Sequence, residues 1–248
     1  MDNLSTVLAR LADKITTSVS NTSKCQKCND TGFIYTDNGT IECECARRAR
    51  DQRRIEKLFK SAKIPARYRD KTLENFDASL QPKAYKIAVE YTKTWPKGNG
   101  ESLFFVGPVG TGKSHLARAI LSTMIRRHGI SGLAATVPNL MDDLRPGADD
   151  GKSNEQIQLL KTVPLLVLDD LGAQKTTDWV TERLFVIINA RYDELLPTVI
   201  TSNIYLEELR KIPGWDRIVD RIVEMATAVR MEGKSYRMRG KLTGKEVQ

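Results

Sequence analysis

The sequence lacks any uninterrupted apolar run long enough to cross a membrane. Its first twenty residues carry the charged side chains Asp2, Arg10, Asp13 and Lys14, which exclude a secretory signal as well. We therefore expect a cytoplasmic protein. The 248 residues, 40% hydrophobic and 28% charged, suffice for one sizeable domain and a smaller appendage.

Aromatic residues are scarce, at 6%, so the sequence offers few of the side chains on which single-stranded nucleic acids usually stack. Acidic residues are outnumbered, with 31 Asp and Glu against 39 Lys and Arg, which gives a formal net charge of +8. An excess of positive charge favours an anionic partner, of which nucleic acid is the commonest. No internal repeat is present.

All 4 cysteines lie close together, as Cys25-x-x-Cys28 and Cys43-x-Cys45. Two close pairs separated by a hairpin-length spacer are typical of a tetrahedral zinc site. Turn-forming residues flank a short apolar run at 33–35, which predicts a β-hairpin that brings the pairs together. Two disulfides, or four unrelated thiols, are the alternatives. We expect zinc in a structural role, because four thiolates leave no open position for water.

A glycine-rich segment from Gly107 to Ser114 matches the full phosphate-loop pattern G-x-x-x-x-G-K-[ST]. It follows an apolar run at 102–106 and precedes a helical pattern at 115–127, which is the strand–loop–helix context that the motif requires. Its backbone N–H groups would surround an anion at the positive end of the helix. Lys113 would reach the β- and γ-phosphates of ATP, and the Ser114 hydroxyl would bind Mg²⁺. The alternative is a chance glycine-rich turn.

A second apolar run, at 165–168, ends in Asp169 and Asp170. Because parallel strands end at the same edge of a sheet, these carboxylates would lie beside the phosphate loop. Asp169 would hold the same magnesium ion, directly or through water, and Asp170 would orient the attacking water. Asn203 ends the following strand, which is where a sensor of the γ-phosphate would lie.

The pattern from about residue 66 onward predicts an α/β fold, an αβα core with a mostly parallel sheet. The predicted strands are 102–106, 132–137, 165–168 and 198–203, and the predicted helices are 82–95, 115–127, 138–144, 154–161 and 177–195, with a polar loop at 145–152. Residues 3–19 form one helical apolar stripe that would pack on the cysteine module or dock another protein. The arginine-rich stretch 46–58 is either a phosphate-contacting helix or a solvated connection.

Several of these segments are shared with one family. Thr201-Ser-Asn203, preceded by Asp169-Asp170-Leu-Gly172, resembles AAA+ ATPases of the DnaC/DnaI/IstB group. Residues 64–69, 72–76, 107–116, 137–140, 217–222 and 233–237 are also similar to that group. Because the similarity runs almost continuously over residues 64–237, it is more specific than a single motif.

The resemblance implies an oligomeric ATPase whose active sites are shared between subunits. Arg221 matches the arginine finger that reaches a neighbour's ATP, with Arg217 as the second candidate, and Arg237 matches the sensor arginine near the end of the fold. Each is alternatively a surface arginine beside a local carboxylate. The expected catalytic residues are Lys113, Asp170, Asn203, Arg221 and Arg237; nucleotide is bound by Gly107, Pro108, Val109, Gly110, Thr111, Gly112, Lys113, Ser114 and His115; Ser114 and Asp169 bind magnesium, and Cys25, Cys28, Cys43 and Cys45 bind zinc.

Two features depart from the AAA+ pattern. AAA+ proteins usually carry Asp-Glu where this chain has Asp169-Asp170, and the shorter side chain suggests slow hydrolysis, typical of a switch. The sequence also ends soon after Arg237, so we expect no clear helical lid. The four-cysteine stretch resembles helicase loaders of Gram-positive bacteria and their phages, whereas transposon helper ATPases lack it.

We therefore expect two domains, a zinc-bearing adaptor at 1–62 and an AAA+ ATPase at 63–248. The resemblance implies a loader of the hexameric replicative helicase onto single-stranded DNA. ATP binding would drive self-association through shared sites, and hydrolysis would drive release. The alternatives are a transposase-helper ATPase that grips duplex DNA, and a zinc adaptor that inhibits a helicase and hydrolyses little ATP.

Overall fold

In the computed structural model the described residues are 25–37, 39–95, 98–145, 150–233 and 235–236, with the backbone alone at 150 and 151. The chain divides after Arg53 into two compact units, and each is described by itself. The helix predicted at 3–19 lies outside the described residues.

The first unit contains a β-hairpin. Strands β1 (Phe33–Thr36) and β2 (Gly39–Glu42) pair antiparallel, with Phe33 opposite Glu42. A tight turn precedes them, in which the N–H groups of Cys28 and Asn29 donate to the carbonyl oxygen of Cys25. Asn29 has a positive φ of 47°, which asparagine tolerates better than most residues. The predicted hairpin is confirmed.

The second unit is built on a five-stranded parallel sheet. Its strands are β3 (Ser102–Val106), β4 (Gly132–Thr136), β5 (Leu165–Leu171), β6 (Thr198–Ser202) and β7 (Ala226–Arg230). Their order across the sheet is β4-β5-β6-β3-β7, and every neighbouring pair is parallel. Strand β6 therefore separates the strand before the phosphate loop from the acidic strand.

Helices flank this sheet, which confirms the predicted α/β class. They are α2 (Pro82–Tyr91), α3 (Lys113–His128), α4 (Val137–Asp143), α5 (Asp150–Thr162), α6 (Asp178–Asp193), α7 (Leu206–Leu209) and α8 (Asp216–Met225), with a short 3₁₀ helix at Ala66–Tyr68. Helix α1 (Glu44–Ser61) precedes them in the chain and includes the division after Arg53. Local chemistry sets several ends. The Thr177 hydroxyl accepts from the Val180 N–H at the start of α6, and Gly129 ends α3 at a φ of 61°.

The hydrophobic core lies on both faces of the sheet, which is why β3 reads as a continuous apolar run. On one face Phe104 belongs to a cluster with side chains of α4, α5, α6 and α8. On the other face Phe105 belongs to a cluster with side chains of α2 and α3. The middle of the sheet is therefore fixed by packing from both sides, and the strand ends are positioned by it.

Two predicted bounds need correction, and one strand was missed. Strand β7 was not predicted, because Val229 is its only buried side chain and the pattern is weak. The polar loop predicted to reach residue 152 is wrong at its end, since α5 begins at Asp150 and includes a glycine that a helix tolerates at a cost of about 1 kcal/mol. Helix α2 ends at Tyr91 and not at 95. Pro96 disfavours a helical conformation at the residue before it, Trp95, so helices usually end at or before such a residue.

Candidate nucleotide and metal sites

The phosphate loop joins β3 to α3 and depends on glycine for its conformation and its packing. Gly107 has a φ of 147° and Gly112 a φ of 100°, values that side chains disfavour. A Cβ on Gly107 would lie 1.9 Å from the carbonyl oxygen of Met231, and one on Gly112 would lie 2.7 Å from the Phe76 ring. The two glycines therefore permit close contacts with other parts of the same unit.

Lys113 opens α3 and is buried, with 4% of its surface exposed. Its Nζ donates to the carbonyl oxygens of Gly107 at 2.6 Å and Pro108 at 2.7 Å. Ser114 follows and is half-buried. The ammonium group is thus held by the loop itself, at a helix start whose N–H groups attract anions.

Asp169 lies near the end of β5 and is almost fully buried. One carboxylate oxygen accepts from Arg118 NH1 at 2.7 Å, and the other accepts from the Thr201 hydroxyl at 2.6 Å. Neither Arg118 nor Thr201 was predicted to have a role. No local signal marks Arg118, since its partner is 51 residues away. Both bonds fix the orientation of the carboxylate that we expect beside the magnesium ion.

Asp170 has a positive φ of 59° and is half-buried. Its N–H donates to the Thr201 hydroxyl at 3.0 Å, and its Oδ1 accepts from Asn203 Nδ2 at 3.3 Å. Burial, and then the neighbouring Asp169 carboxylate, raise the pKa of Asp170. The two residues expected to handle the attacking water and the γ-phosphate therefore lie in contact.

A cavity of about 650 Å³ lies over the phosphate loop. It brings together part of the predicted nucleotide site, namely Val109, Gly110, Thr111, Gly112, Lys113, Ser114, His115, Asp170 and Asn203. Neither Asp169 nor Arg221 lines it. Aromatic side chains complete its wall, which the sequence analysis did not anticipate: Tyr68, Phe76 and Tyr236.

His115 fastens the segment before α2 to the phosphate-loop helix. Its Nε2 lies 2.8 Å from the carbonyl oxygen of Thr72, and because a carbonyl only accepts, Nε2 carries the proton. The Phe76 ring meets the imidazole edge-on at a centroid distance of 5.1 Å. Burial lowers the pKa of His115, so the ring is neutral at physiological pH. This residue shapes the cavity wall.

Arg221 lies on α8, away from the lining of the cavity. Its Nε donates to Asn189 Oδ1 at 2.9 Å, and its guanidinium lies 4.4 Å from the centre of the Tyr192 ring. A third of the side chain is exposed. Arg217, on the same helix, lies 5.7 Å from the centre of the Phe185 ring. Arg237, the expected sensor arginine, lies outside the described residues.

The four cysteine sulfurs of the first unit lie within 4.8 Å of one another. Cys28 and Cys45 are 3.3 Å apart, and Cys25 and Cys43 are 3.7 Å apart, so each contact joins the two sequence pairs. Burial alone would raise the pKa of Cys28. Hydrogen bonds with the Cys45 thiol and the backbone of Gly32 outweigh burial, and the pKa falls from the ordinary 9.0 to about 7. The hairpin therefore gathers four soft ligands in one place, as predicted.

Residues 9–244 match the family described as IstB-like ATP binding protein. The chain belongs to this family. The predicted resemblance to the DnaC/DnaI/IstB group of AAA+ proteins is thereby confirmed, and so is the expected class of ligand, since the family is one of ATP-binding proteins.

Several curated relatives of this IstB-like chain are named for replication or transposition. The replicative helicase loader DnaI of Bacillus subtilis is 26% identical, over 79% of this chain and 68% of its own length. The replicative helicase loader DnaC of Escherichia coli is 30% identical, over 85% and 86%. An ATP-binding protein of insertion sequence IS5376 from Geobacillus stearothermophilus is 30% identical, over 79% and 78%.

Solved structures agree with the fold of the second unit. The crystal structure of the DnaC helicase loader covers 68% of this chain and 100% of its own, with a TM-score of 0.62 and 30% identity. The replication initiator DnaA, solved with AMPPCP and single-stranded DNA, covers 73% of this chain and 56% of its own, with a TM-score of 0.59 and 25% identity. The AAA+ architecture of this IstB-like chain follows from both.

The donor atoms of the IstB-like chain suit the expected ions. The Ser114 hydroxyl and the Asp169 carboxylate are hard oxygen ligands of the kind that magnesium prefers. Four clustered thiols are the ligand set of a structural zinc ion. Among the described residues, no helix is both long and apolar enough to span a bilayer.

Proposed function

We propose that this IstB-like protein loads a hexameric replicative helicase onto single-stranded DNA, in a cycle driven by ATP. The observation that carries the proposal is the cavity in which the phosphate loop, Asp170 and Asn203 meet. Two relatives named as replicative helicase loaders support the cellular role. The clustered cysteines add the feature that distinguishes loaders in the sequence analysis.

Residues of the cavity would share the work of hydrolysis with Asp169, which does not line it. Lys113 would bind the β- and γ-phosphates from the loop. Ser114 and Asp169 would hold magnesium, which would supply positive charge against the developing negative charge. Asp170 orients the attacking water, and its raised pKa favours the acceptance of a proton. Asn203 donates to Asp170, and in this proposal it also senses the γ-phosphate.

Assembly of several copies would complete each site. Arg221 does not line the cavity of its own chain, and a third of it is exposed on α8. We propose that it reaches the ATP of a neighbouring subunit, with Arg217 as the second candidate and Arg237 as the sensor arginine. Arginine suits this task because its fixed donors stabilise the transferring phosphate.

We assign the adaptor role to residues 1–62 and the ATPase role to residues 63–248. In the adaptor, zinc held by the four cysteines would stabilise a hairpin that exposes two aromatic side chains. Phe33 is 51% exposed and Tyr35 is 79% exposed. Exposed aromatic residues are frequent anchors of protein interfaces, so this hairpin is the part of the adaptor that we expect to contact the helicase.

Single-stranded DNA would bind the assembled ATPase domains through phosphate contacts. The net charge of +8 supports an anionic partner, and the low aromatic content argues against extensive base stacking. Affinity for DNA should therefore fall steeply as salt rises.

The deciding experiment is a pull-down of a hexameric replicative helicase by the full chain in the presence of ATP. The wild-type chain should retain the helicase, and a Phe33→Ala/Tyr35→Ala double variant should retain at least about tenfold less. The reason is that aromatic side chains that become buried in an interface contribute about 2 kcal/mol or more to binding. Leu159→Ala is the matched control, because Leu159 is a 45% exposed apolar residue of the other unit.

Absence of helicase binding by the wild-type chain would reject the loader. It would favour the transposase helper, which the IS5376 relative supports and which a preference for duplex over single-stranded DNA would identify. Binding without any gain in helicase loading, and with little hydrolysis, would favour a helicase-inhibiting adaptor.

A further inference from the structure

A buried ion pair joins Arg118 on α3 to Asp169 on β5. Arg118 NH1 donates to Asp169 Oδ2 at 2.7 Å, and only 2% of the arginine side chain and 4% of the aspartate side chain are exposed. Such a pair adds little stability over apolar residues of the same size, since removing both charges from water is costly. Stability alone therefore gives no reason for an arginine at this position.

The surroundings of Arg118 connect it to the site. Its NH2 donates to the Thr136 hydroxyl at 3.3 Å, while its Nε has no hydrogen-bond partner among the described residues. The guanidinium lies 4.0 Å from the centre of the Tyr68 ring, and Tyr68 lines the cavity. Arg118 thus contacts a wall of the nucleotide cavity on one side and the expected magnesium carboxylate on the other.

The ion pair changes what Asp169 can offer a cation. A carboxylate has about four positions for accepted bonds, and Arg118 and Thr201 occupy one on each oxygen. Positions for a further ligand remain, but the positive charge of Arg118 offsets the negative charge that would attract magnesium. The same positive charge favours the phosphates of a nucleotide that carries no metal.

We propose that Arg118 is a positioning residue that makes nucleotide binding only weakly dependent on magnesium. It holds Asp169 in one orientation and supplies part of the positive charge that magnesium would otherwise provide. This inference rests on the proposed magnesium–nucleotide site, and it concerns the charge balance of that site.

The test compares the Kd of a fluorescent N-methylanthraniloyl-ATP in EDTA with the Kd in saturating magnesium chloride. We call their ratio the magnesium factor, and expect it to be below about threefold for the wild-type chain. Arg118→Gln, which keeps a donor but loses the charge, and Arg118→Met, which loses both, should raise the factor about fivefold or more. Arg118→Lys keeps the charge and should keep the wild-type factor.

Arg126→Gln is the matched control, because Arg126 lies on the same helix and its guanidinium lies 4.7 Å from the centre of the Phe59 ring, away from the nucleotide cavity. It should leave the factor unchanged. Thermal unfolding of each variant separates loss of fold from loss of charge balance. If Arg118→Gln and Arg118→Met do not fold, the wild-type factor still decides, since a factor above about thirtyfold overturns the proposal.

Two other outcomes would overturn it. A folded Arg118→Gln protein with the wild-type factor would mean that Arg118 only supports the fold. An equal rise in Arg118→Lys and Arg118→Gln would mean that geometry matters and charge does not. Failure of the wild-type chain to bind the analogue in either buffer would instead reject the nucleotide site itself, and this inference with it.

Discussion

The backbone of Asp170 lies in the left-handed region of φ/ψ space, which few residues other than glycine, asparagine and aspartate adopt at low cost. Burial and the adjacent Asp169 carboxylate raise its pKa above the ordinary 3.8. A carboxyl group with a folded-state pKa above its unfolded value stabilises the fold at low pH and loses that contribution as pH rises through the folded pKa. At neutral pH the ionised Asp170 therefore lowers stability.

Asp170→Asn should raise the melting temperature at pH 7, because it removes this charge and tolerates the same φ. ATP hydrolysis should fall about a hundredfold or more while ATP binding is retained, because the group that orients the water is lost. Asp169→Asn serves as the control and should lower stability by about 3 kcal/mol or more, since it leaves the buried Arg118 unpaired. Calorimetry across pH 4–8 would measure the melting temperatures of both variants. Equal melting temperatures would contradict the prediction that Asp170→Asn stabilises the fold and Asp169→Asn destabilises it.

At the scale of residues, the sequence predicts well those functional side chains that are neighbours in a motif. It predicts poorly those side chains whose partners are distant in the chain. Lys113 and Asp170 follow from motifs in which strand, loop and side chain are neighbours in the chain. The roles of Arg118 and Thr201 were not predicted, because both residues bind the Asp169 carboxylate, which only the folded sheet brings near them. Tyr68 stands in a segment that matches the family, but its place in the cavity wall follows from tertiary packing.

At the scale of elements, the phosphate loop is packed against the chain that follows β7. The Gly107 α-carbon faces the carbonyl of Met231, and the Met231 N–H donates to the carbonyl of Val106. The phosphate loop of the nucleotide site therefore packs against the end of an edge strand that was not predicted from the sequence. Central strands such as β3 were recognised because both faces are apolar, whereas β7 presents mostly exposed positions.

Gly107→Ala should destabilise the second unit by about 2 kcal/mol or more, because the added methyl group meets a backbone oxygen that cannot rotate away. Nucleotide affinity should fall with it. Gly233→Ala is the matched control: Gly233 also has a positive φ, of 107°, but its Cβ would meet nothing within 4 Å. We expect it to cost about 1 kcal/mol. Urea denaturation of both variants checks the difference, and equal losses would rule out the steric explanation.

At the scale of the whole molecule, the two metal sites should be separable. Cys43→Ser should reduce bound zinc and abolish helicase retention while the affinity for ATP stays unchanged. Lys113→Ala should weaken ATP binding about a hundredfold and abolish ATP-dependent assembly while zinc content stays unchanged. Metal analysis, nucleotide titration and light scattering measure these effects. Joint loss of zinc and ATP binding in Cys43→Ser would show that residues 1–62 are not an independent adaptor.

The order of the strands in the sheet differs from their order in the chain, and this has a consequence for synthesis. β3 pairs with β6 and β7, and its Leu103 lies opposite Val199 and Thr227. A ribosome produces β3 long before either neighbour, so this apolar strand has no hydrogen-bond partner until Ser202 has emerged and lacks its second partner until Arg230 has emerged. During that interval the nascent chain exposes the kind of apolar surface that chaperones recognise. The packing of the phosphate loop on Met231 can form only after β7 has been synthesised.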